Sequence, residues 1–367
     1  MSELRTVGVE EEMLLVERAT GHAMSLQSQV LAAMPENPPD GEIEGEFARE
    51  QIEVGSAPHE DLAVLAAELS EWRHRASVAA RHQGAAVAAL GLSPTPTVPH
   101  RAPGSRYAQI AERFGVIAAE FLSCGCHVHV SVDDRDEAVR VLDRIRPSLP
   151  LLTALCTNSP FHAGADTGYA GYRTLQMDRW PSAGPVEPFG SAAGYDEAIS
   201  HMLATGVLLD QGMVYFDARV SHRYPTIEIR VADVCLDVRD AVLLAALCRA
   251  LVETEAQATD EAVLPSVPVL RLARWQAAGS GVSGDLLDAR TLKPVAAWEA
   301  IGALVDRLRP ALERSGDVEL VETALARVRR HGTGADRQRR VFEHTGSMAD
   351  VVADATRVTI GADHDQS

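Results

Sequence analysis

Strict alternation of apolar and polar residues marks the clearest elements of this chain. In "VGVEEEMLLV", residues 7–16, it predicts a strand whose period-two faces divide three consecutive glutamates. Glu10 and Glu12 share one face, while Glu11 joins the mostly apolar face of Val9 and Met13. "SCGCHVHVSV", residues 123–132, alternates in the same way, with Cys126, Val128 and Val130 on one side and His127, His129 and Ser131 on the other. A third such strand, "TIEIRVADV" at 226–234, sets Ile227, Ile229 and Val231 against Glu228 and Arg230. "IEGEFAREQIEVGS", residues 43–56, mixes charge with Phe47, Ile52 and Val54 and predicts two short strands or one bulged strand.

Helical spacing appears elsewhere. Leu62, Leu65, Leu69, Trp72, Ala76 and Ala79 step by three and four, predicting a long amphipathic helix from Asp61. A shorter helical pattern spans 22–35, ending at Pro35 before the turn cluster 36–42, and another spans 106–121. Residues 133–161 predict a capped helix and a more apolar one, broken by Pro147 and Pro150. "ALGLSPTPTVPHRAPGSRY", residues 89–107, opens as a buried strand and becomes a proline-stiffened loop. Between Phe161 and Gly194 a Gly, Pro and aromatic segment lacks periodicity, and its rings favour an ordered binding loop. Beyond Asp237 the pattern is helical to about Val358. The fold class implied is α+β, a single catalytic domain over 1–358 with a helical C-terminal third from about 237 and a disordered tail at 359–367.

Composition narrows the function. A formal charge of −18 over 367 residues argues against a nucleic-acid partner, which requires clustered Lys and Arg. No apolar stretch is long enough to span a membrane. The cysteines, Cys124, Cys126, Cys156, Cys235 and Cys248, are odd in number and lie in apolar runs, and no signal segment precedes them. A reduced, cytoplasmic setting with buried thiols is expected.

If the polar faces of these strands meet, the site gathers carboxylates from Glu10, Glu12, Glu53 and Glu228 with one from the Glu44, Glu46, Glu50 group, plus His127 or His129. A cluster of this kind repels itself without cations. Oxygen ligands with one or two imidazoles and no thiolate set suit Mg²⁺, or Mn²⁺, better than structural zinc. Each motif alone has a plainer reading: E-E-E as a solvated surface run, E-x-R as a cross-strand ion pair, H-x-H as satisfied polar-face histidines. No Walker A, G-x-G-x-x-G or G-x-S-x-G motif is present, so metals and arginines would have to hold any nucleotide.

At these same residues the chain resembles the type 2 glutamate–cysteine ligases, a carboxylate-amine ligase family of the glutamine synthetase-like superfamily. The stretches "GVEEEMLLV", "GCHVHVSVDDRDEAVRVLDRIRPSLPLLTALCTNSPF", "DTGYAGYRTLQMDRWPSAGPVEPFGS" and "RYPTIEIRVADVCLDVRDAVLLAALCRALVET" carry the likeness, from about Val7 to Glu343. The resemblance implies a mainly antiparallel sheet packed by helices, whose concave face binds metal and ATP. It implies Glu12, Glu46 and Glu53 on one Mg²⁺ and Glu10, His127 and Glu228 on another. Arg230 would meet the transferring phosphoryl group, Arg219 and Arg223 would lie near ATP, and Arg173 would hold a substrate carboxylate. Trp180 and Tyr172 would line an acceptor pocket. The implied reaction is ATP-dependent amide formation from a carboxylate, L-glutamate foremost, and an amine such as cysteine, through an acyl phosphate. A homodimer is expected by analogy. The competing reading is a metal-dependent amide hydrolase that uses the H-x-H strand and the acids.

Overall fold

The computed structural model describes residues 4–34 and 41–362. Strand β1 (Val7–Glu17) is followed by α1 (Gln27–Ala33), β2 (Glu42–Gly45), β3 (Gln51–Gly55), α2 (Leu62–His82) and β4 (Ala85–Ala88). Next come α3 (Ser105–Phe114), α4 (Val116–Ala119), β5 (Gly125–Ser131), α5 (Arg135–Ile145) and α6 (Leu149–Leu155). A small hairpin, β6 (Phe161–His162) and β7 (Ala165–Asp166), leads to α7 (Tyr172–Met177), α8 (Ala192–Ala204), β8 (Ala218–Val220), β9 (Thr226–Asp233) and α9 (Val238–Gln257). The C-terminal part holds α10 (Val267–Ser280), the hairpin β10 (Asp285–Leu287) and β11 (Pro294–Ala296), then α11 (Ala297–Ser315), α12 (Val318–His331), α13 (Gly334–Thr345) and α14 (Met348–Thr359).

Seven strands form one antiparallel sheet in the order β2-β3-β1-β5-β9-β8, with β4 also paired to β1. The apolar faces point one way, as the alternation predicts. Val9, Cys126, Val128, Val130, Ile227 and Ile229 are buried in a core shared with α5 and α9. The C-terminal half of β1 packs in a second core with β4, α2 and α14. Side-chain caps at Asp61, Asp134 and Asp237 start α2, α5 and α9 by accepting backbone N–H bonds.

Several boundaries differ from the pattern-based expectation. Residues 22–24 pair back onto β1, Met24 N–H donating to Leu15 O at 2.8 Å, and the chain turns at Leu26, so the helix expected over 22–35 is confined to α1. The strand expected from Ala89 lies just upstream, at β4. The helix expected over 106–121 divides into α3 and α4 at Gly115, whose φ of +52° no helix tolerates. Between α5 and α6 the prolines leave only a 3₁₀ turn, Arg146–Ser148. The β10–β11 hairpin interrupts the expected helical third. Thr359, placed in the tail by pattern, closes α14 and accepts the Ala89 N–H at 2.9 Å, while 363–367 and most of the 36–42 turn cluster lie outside the described residues.

Glu11, on the apolar face, is fully buried and meets Arg73 of α2, with contacts of 2.6 and 2.8 Å to its two oxygens. The same guanidinium donates to Cys235 O at 2.7 Å and Leu236 O at 3.0 Å. Burial opposes the arginine's charge, but the Glu11 carboxylate outweighs it and holds the Arg73 pKa raised. Removing one member of a buried pair leaves the other uncompensated. Glu11→Gln is therefore expected to lower unfolding free energy by about 3 kcal/mol, read by urea denaturation. A loss under about 1 kcal/mol, the scale of an exposed pair, would show that β1 does not depend on Arg73.

Candidate active site

Antiparallel register brings the polar faces together. Glu10 stands opposite His127, Glu12 opposite Glu53, His129 opposite Glu228, and Glu228 opposite Arg219. Glu46 follows β2 in a tight turn back to β3. Gln27 of α1 pins that turn, its Nε2 lying 2.9, 3.1 and 2.9 Å from the carbonyl oxygens of Glu46, Ala48 and Gln51. The turn supplies the change of direction that lets Glu46 and Glu53 share a site although seven residues apart. Glu50 faces elsewhere and is bound by the His100 ring and backbone N–H at 2.7 and 3.0 Å. Glu10, Glu12, Glu46, Glu53, His127, His129, Glu228 and Arg219 line one cavity of about 610 Å³.

Two sets of three ligand atoms close within it. Oxygens of Glu12, Glu46 and Glu53 lie within 4.8 Å of one another, and so do atoms of Glu10, His129 and Glu228. The second set takes His129 where the resemblance implies His127. His127 sits deeper, with Nδ1 at 3.3 Å from Glu10 and 4.0 Å from Glu228. Burial and the neighbouring Arg230 push its pKa down to about 3, so the ring is neutral, and its Nε2 has no hydrogen-bond partner among the described residues.

The carboxylates show what the site lacks in charge. Burial and the Glu46 carboxylate push Glu12 up to about 7, although Arg173 and the Gly125 N–H, at 2.6 Å, oppose the shift. Burial together with Glu10, Glu46 and Glu12 holds Glu53 well above the usual range, and burial raises Glu46. Glu10 goes the other way: burial disfavours its charge, but hydrogen bonds with His127 and His129 overcome that and keep it well below the usual range. A buried all-oxygen set whose members obstruct one another's ionisation fits a hard divalent cation, which relieves the repulsion and needs no soft ligand.

Arginines surround the acids unequally. Arg219 grips Glu228 with two bonds, 2.6 and 3.1 Å, and Arg230 also contacts Glu228. Burial and Arg219 push Arg230 down to about 10, which leaves it cationic at neutral pH. Arg223 lies exposed on the β8–β9 turn at the cavity mouth, without an ion pair among the described residues. Arg173 is buried and has no ion pair among the described residues; Nη1 donates to Ala232 O at 3.1 Å and Nε is unsatisfied. Gly125 makes room for it, since a Cβ there would lie 2.2 Å from Arg173 Nη2.

Trp180 lines the cavity within a ring cluster of Phe114, Phe121 and Tyr215. Tyr172 does not reach the cavity and stacks beside His162 and Tyr169. Asp217 is also absent from the lining and pairs with Arg274 at 3.0 Å. Arg106, Tyr107, Asp210 and Tyr215 line the cavity, and sequence reasoning missed them. They come from α3 and the loop before β8, where no face alternates and no motif signals them.

The chain matches the glutamate-cysteine ligase family 2 description over residues 6–354. It belongs to that family. A candidate glutamate–cysteine ligase 2-1 of Streptomyces avermitilis is 48% identical over 98% of this chain and 100% of its own length. A candidate of Streptomyces coelicolor is 47% identical over 98% and 100%. Among solved structures, the glutamate–cysteine ligase of Francisella tularensis in complex with AMP superposes with TM-score 0.71 at 12% identity, over 98% of this chain and 90% of that one. A bifunctional glutathione synthetase of Pasteurella multocida gives 0.68 at 15%, over 98% and 53%. At such identities the two structures show the shared fold alone. This glutamate–cysteine ligase family member is thus an ATP-dependent carbon–nitrogen ligase acting on small molecules, and the hydrolase reading is not favoured. Among the described residues, no helix is long and apolar enough to cross a membrane.

A carboxylate raised by folding stabilises the folded state while protonated. Without metal, the contribution of Glu12 is complete below its unfolded value of about 4.3 and is lost as pH rises through about 7. Metal replaces the protons. Added Mg²⁺ is therefore expected to raise the thermal midpoint markedly at pH 8 and little at pH 5, as read by scanning calorimetry. An equal shift at both would contradict the metal assignment.

Proposed function

We propose that this ligase family member joins the γ-carboxylate of L-glutamate to the amine of a second small molecule, such as cysteine. The observation that carries the reading is one cavity holding two hard-ligand sets beside Arg219 and Arg230, with an unpaired Arg173 facing the same space. The AMP complex of the Francisella tularensis neighbour supports an adenine nucleotide in this fold.

In this reading Glu12, Glu46 and Glu53 hold one Mg²⁺ and Glu10, His129 and Glu228 a second, with His127 packed neutral beneath them. Bound there, magnesium would neutralise phosphate charge. Arg230, held against Glu228, stabilises charge on the transferring phosphoryl group, and Arg219 fixes Glu228 from the other side. Arg223 meets the nucleotide at the mouth. Arg173 takes the glutamate α-carboxylate through its free donors and so orients the γ-carboxylate for attack on the γ-phosphate of ATP. ADP leaves, the acceptor amine attacks the acyl phosphate carbonyl, the C–N bond forms, and inorganic phosphate departs with a proton released. Catalysis is positioning and electrostatics, with no covalent bond to the protein.

An ADP-release assay with Mg-ATP, L-glutamate and a panel of amines tests the reaction. ADP and phosphate are expected only when a carboxylate and an amine are both present, and no release with any pair would overturn the reading. Glu53→Gln is expected to cut kcat by at least about 100-fold with the fold retained by circular dichroism, the scale on which disturbed metal sites lose activity. Near-parent turnover would refute the ligand assignment.

A further inference from the structure

An arginine that holds a substrate carboxylate with both arms of its fork must not be bound by an acid of the protein, yet it must still be held in place. Arg173 meets both conditions. Its side chain has one protein bond, to Ala232 O at 3.1 Å, and no acid touches it among the described residues. Its backbone is fixed instead. Arg173 N–H donates to Ser159 Oγ at 2.9 Å, and Ser159 Oγ donates to Asp233 Oδ2 at 2.7 Å. The same carboxylate oxygen accepts the Asn158 N–H at 2.7 Å.

Asp233 ends β9, the strand that carries Glu228 and Arg230, and is 3% exposed. It lies outside the cavity lining, so substrate does not reach it. The anchorage behind it is rigid. Asn158 Nδ2 donates to Ala89 O and Val234 O, each at 2.9 Å, and Gln338 of α13 donates to Asn158 Oδ1 at 2.7 Å. The backbone at Gly91 comes so close that a Cβ there would stand 2.9 Å from Asp233 Cγ. The end of a catalytic strand is thus tied to the loop bearing Arg173 by one serine hydroxyl that accepts from the loop and donates to the strand.

We propose that Asp233, acting through Ser159, is a positioning residue that sets Arg173 for a substrate carboxylate without occupying its guanidinium. This rests on the reading of Arg173 as the carboxylate holder. Asp233 supplies the anchor for the backbone through Ser159 Oγ and makes no hydrogen bond to the guanidinium itself, whose remaining donors stay open to a ligand.

Isothermal titration of the 367-residue chain with L-glutamate and, separately, with Mg-ATP tests this, with thermal midpoints recorded for each variant. Ser159→Ala removes both bonds of the relay and is expected to weaken L-glutamate binding by about tenfold, with Mg-ATP binding within about twofold of the parent. Asp233→Asn keeps an acceptor oxygen and is expected to stay within about threefold of the parent for L-glutamate. If Ser159→Ala binds L-glutamate like the parent while Arg173→Ala does not, the positioning role is overturned and the carboxylate reading stands. If Ser159→Ala weakens both ligands alike, the relay is merely structural and the proposal is again overturned. If the parent does not bind L-glutamate, or Arg173→Ala binds it unchanged, the reading of Arg173 fails and this proposal with it.

Discussion

One buried guanidinium fixes the frame on which the site is built. Arg73 reaches from α2 to both oxygens of Glu11 and to the carbonyls of Cys235 and Leu236, which connect β9 to α9. It therefore joins the central strand, a helix across its apolar face and the exit of the strand that carries Glu228 and Arg230. A slip of β1 by one residue would bring Glu10 or Glu12 to Arg73 in place of Glu11, but it would turn the remaining carboxylate of that face into the apolar core and carry Val9 and Met13 out onto the polar face. Burying an unpaired carboxylate is costly, so the register is tightly specified. What looks in sequence like a run of like charges is an alternation between a carboxylate paired in the core and two that line the cavity.

The site follows from that register. Cross-strand pairing stacks Glu10 on His127, Glu12 on Glu53 and His129 on Glu228, a concentration of acid that no cross-strand preference would choose. The histidines and arginines offset the charge on the Glu10 and Glu228 side: Glu10 stays ionised, and Glu228 is shared between Arg219 and Arg230. On the Glu12, Glu46 and Glu53 side the compensation is incomplete, and all three carboxylates are shifted upward. Such asymmetry suits a site that binds cation and polyphosphate together, since each supplies charge the other lacks.

Loops complete what the sheet begins. The segment from Phe161 to Gly194 is ordered throughout, and it delivers Arg173 and Trp180 to the cavity while Tyr172 packs outside it. Arg173 can enter because Gly125 has no side chain, and it stays because Ser159 and Ala232 hold it. A rigid strand end and a long loop are thereby coupled at Arg173, a buried cavity arginine that no acid pairs with among the described residues.

By itself, the sequence determined the elements whose periodicity reflects burial on one face: β1, β5, β9 and α2, the division of the triple glutamate, and the pairing of Glu10 with Glu12, His127 with His129 and Glu228 with Arg230 on the polar faces of their own strands. Period two is a local property, so these faces were legible without any neighbour. Only tertiary structure decided the rest. Which of Glu44, Glu46 and Glu50 lies beside Glu12 and Glu53 depended on a turn held by Gln27 of α1, and the closer grouping of His129 than of His127 with Glu10 and Glu228 depended on how the strands stack in the cavity. Residues 22–24 lost their helical pattern to pairing with β1; Arg106 and Tyr107 stand at the start of the expected 106–121 helix, whose pattern does not say what they face, and Tyr215 reached the cavity from a loop with no periodic signal. In each case the deciding partner lies on another element, and local patterning carries no information about a partner that only folding brings near.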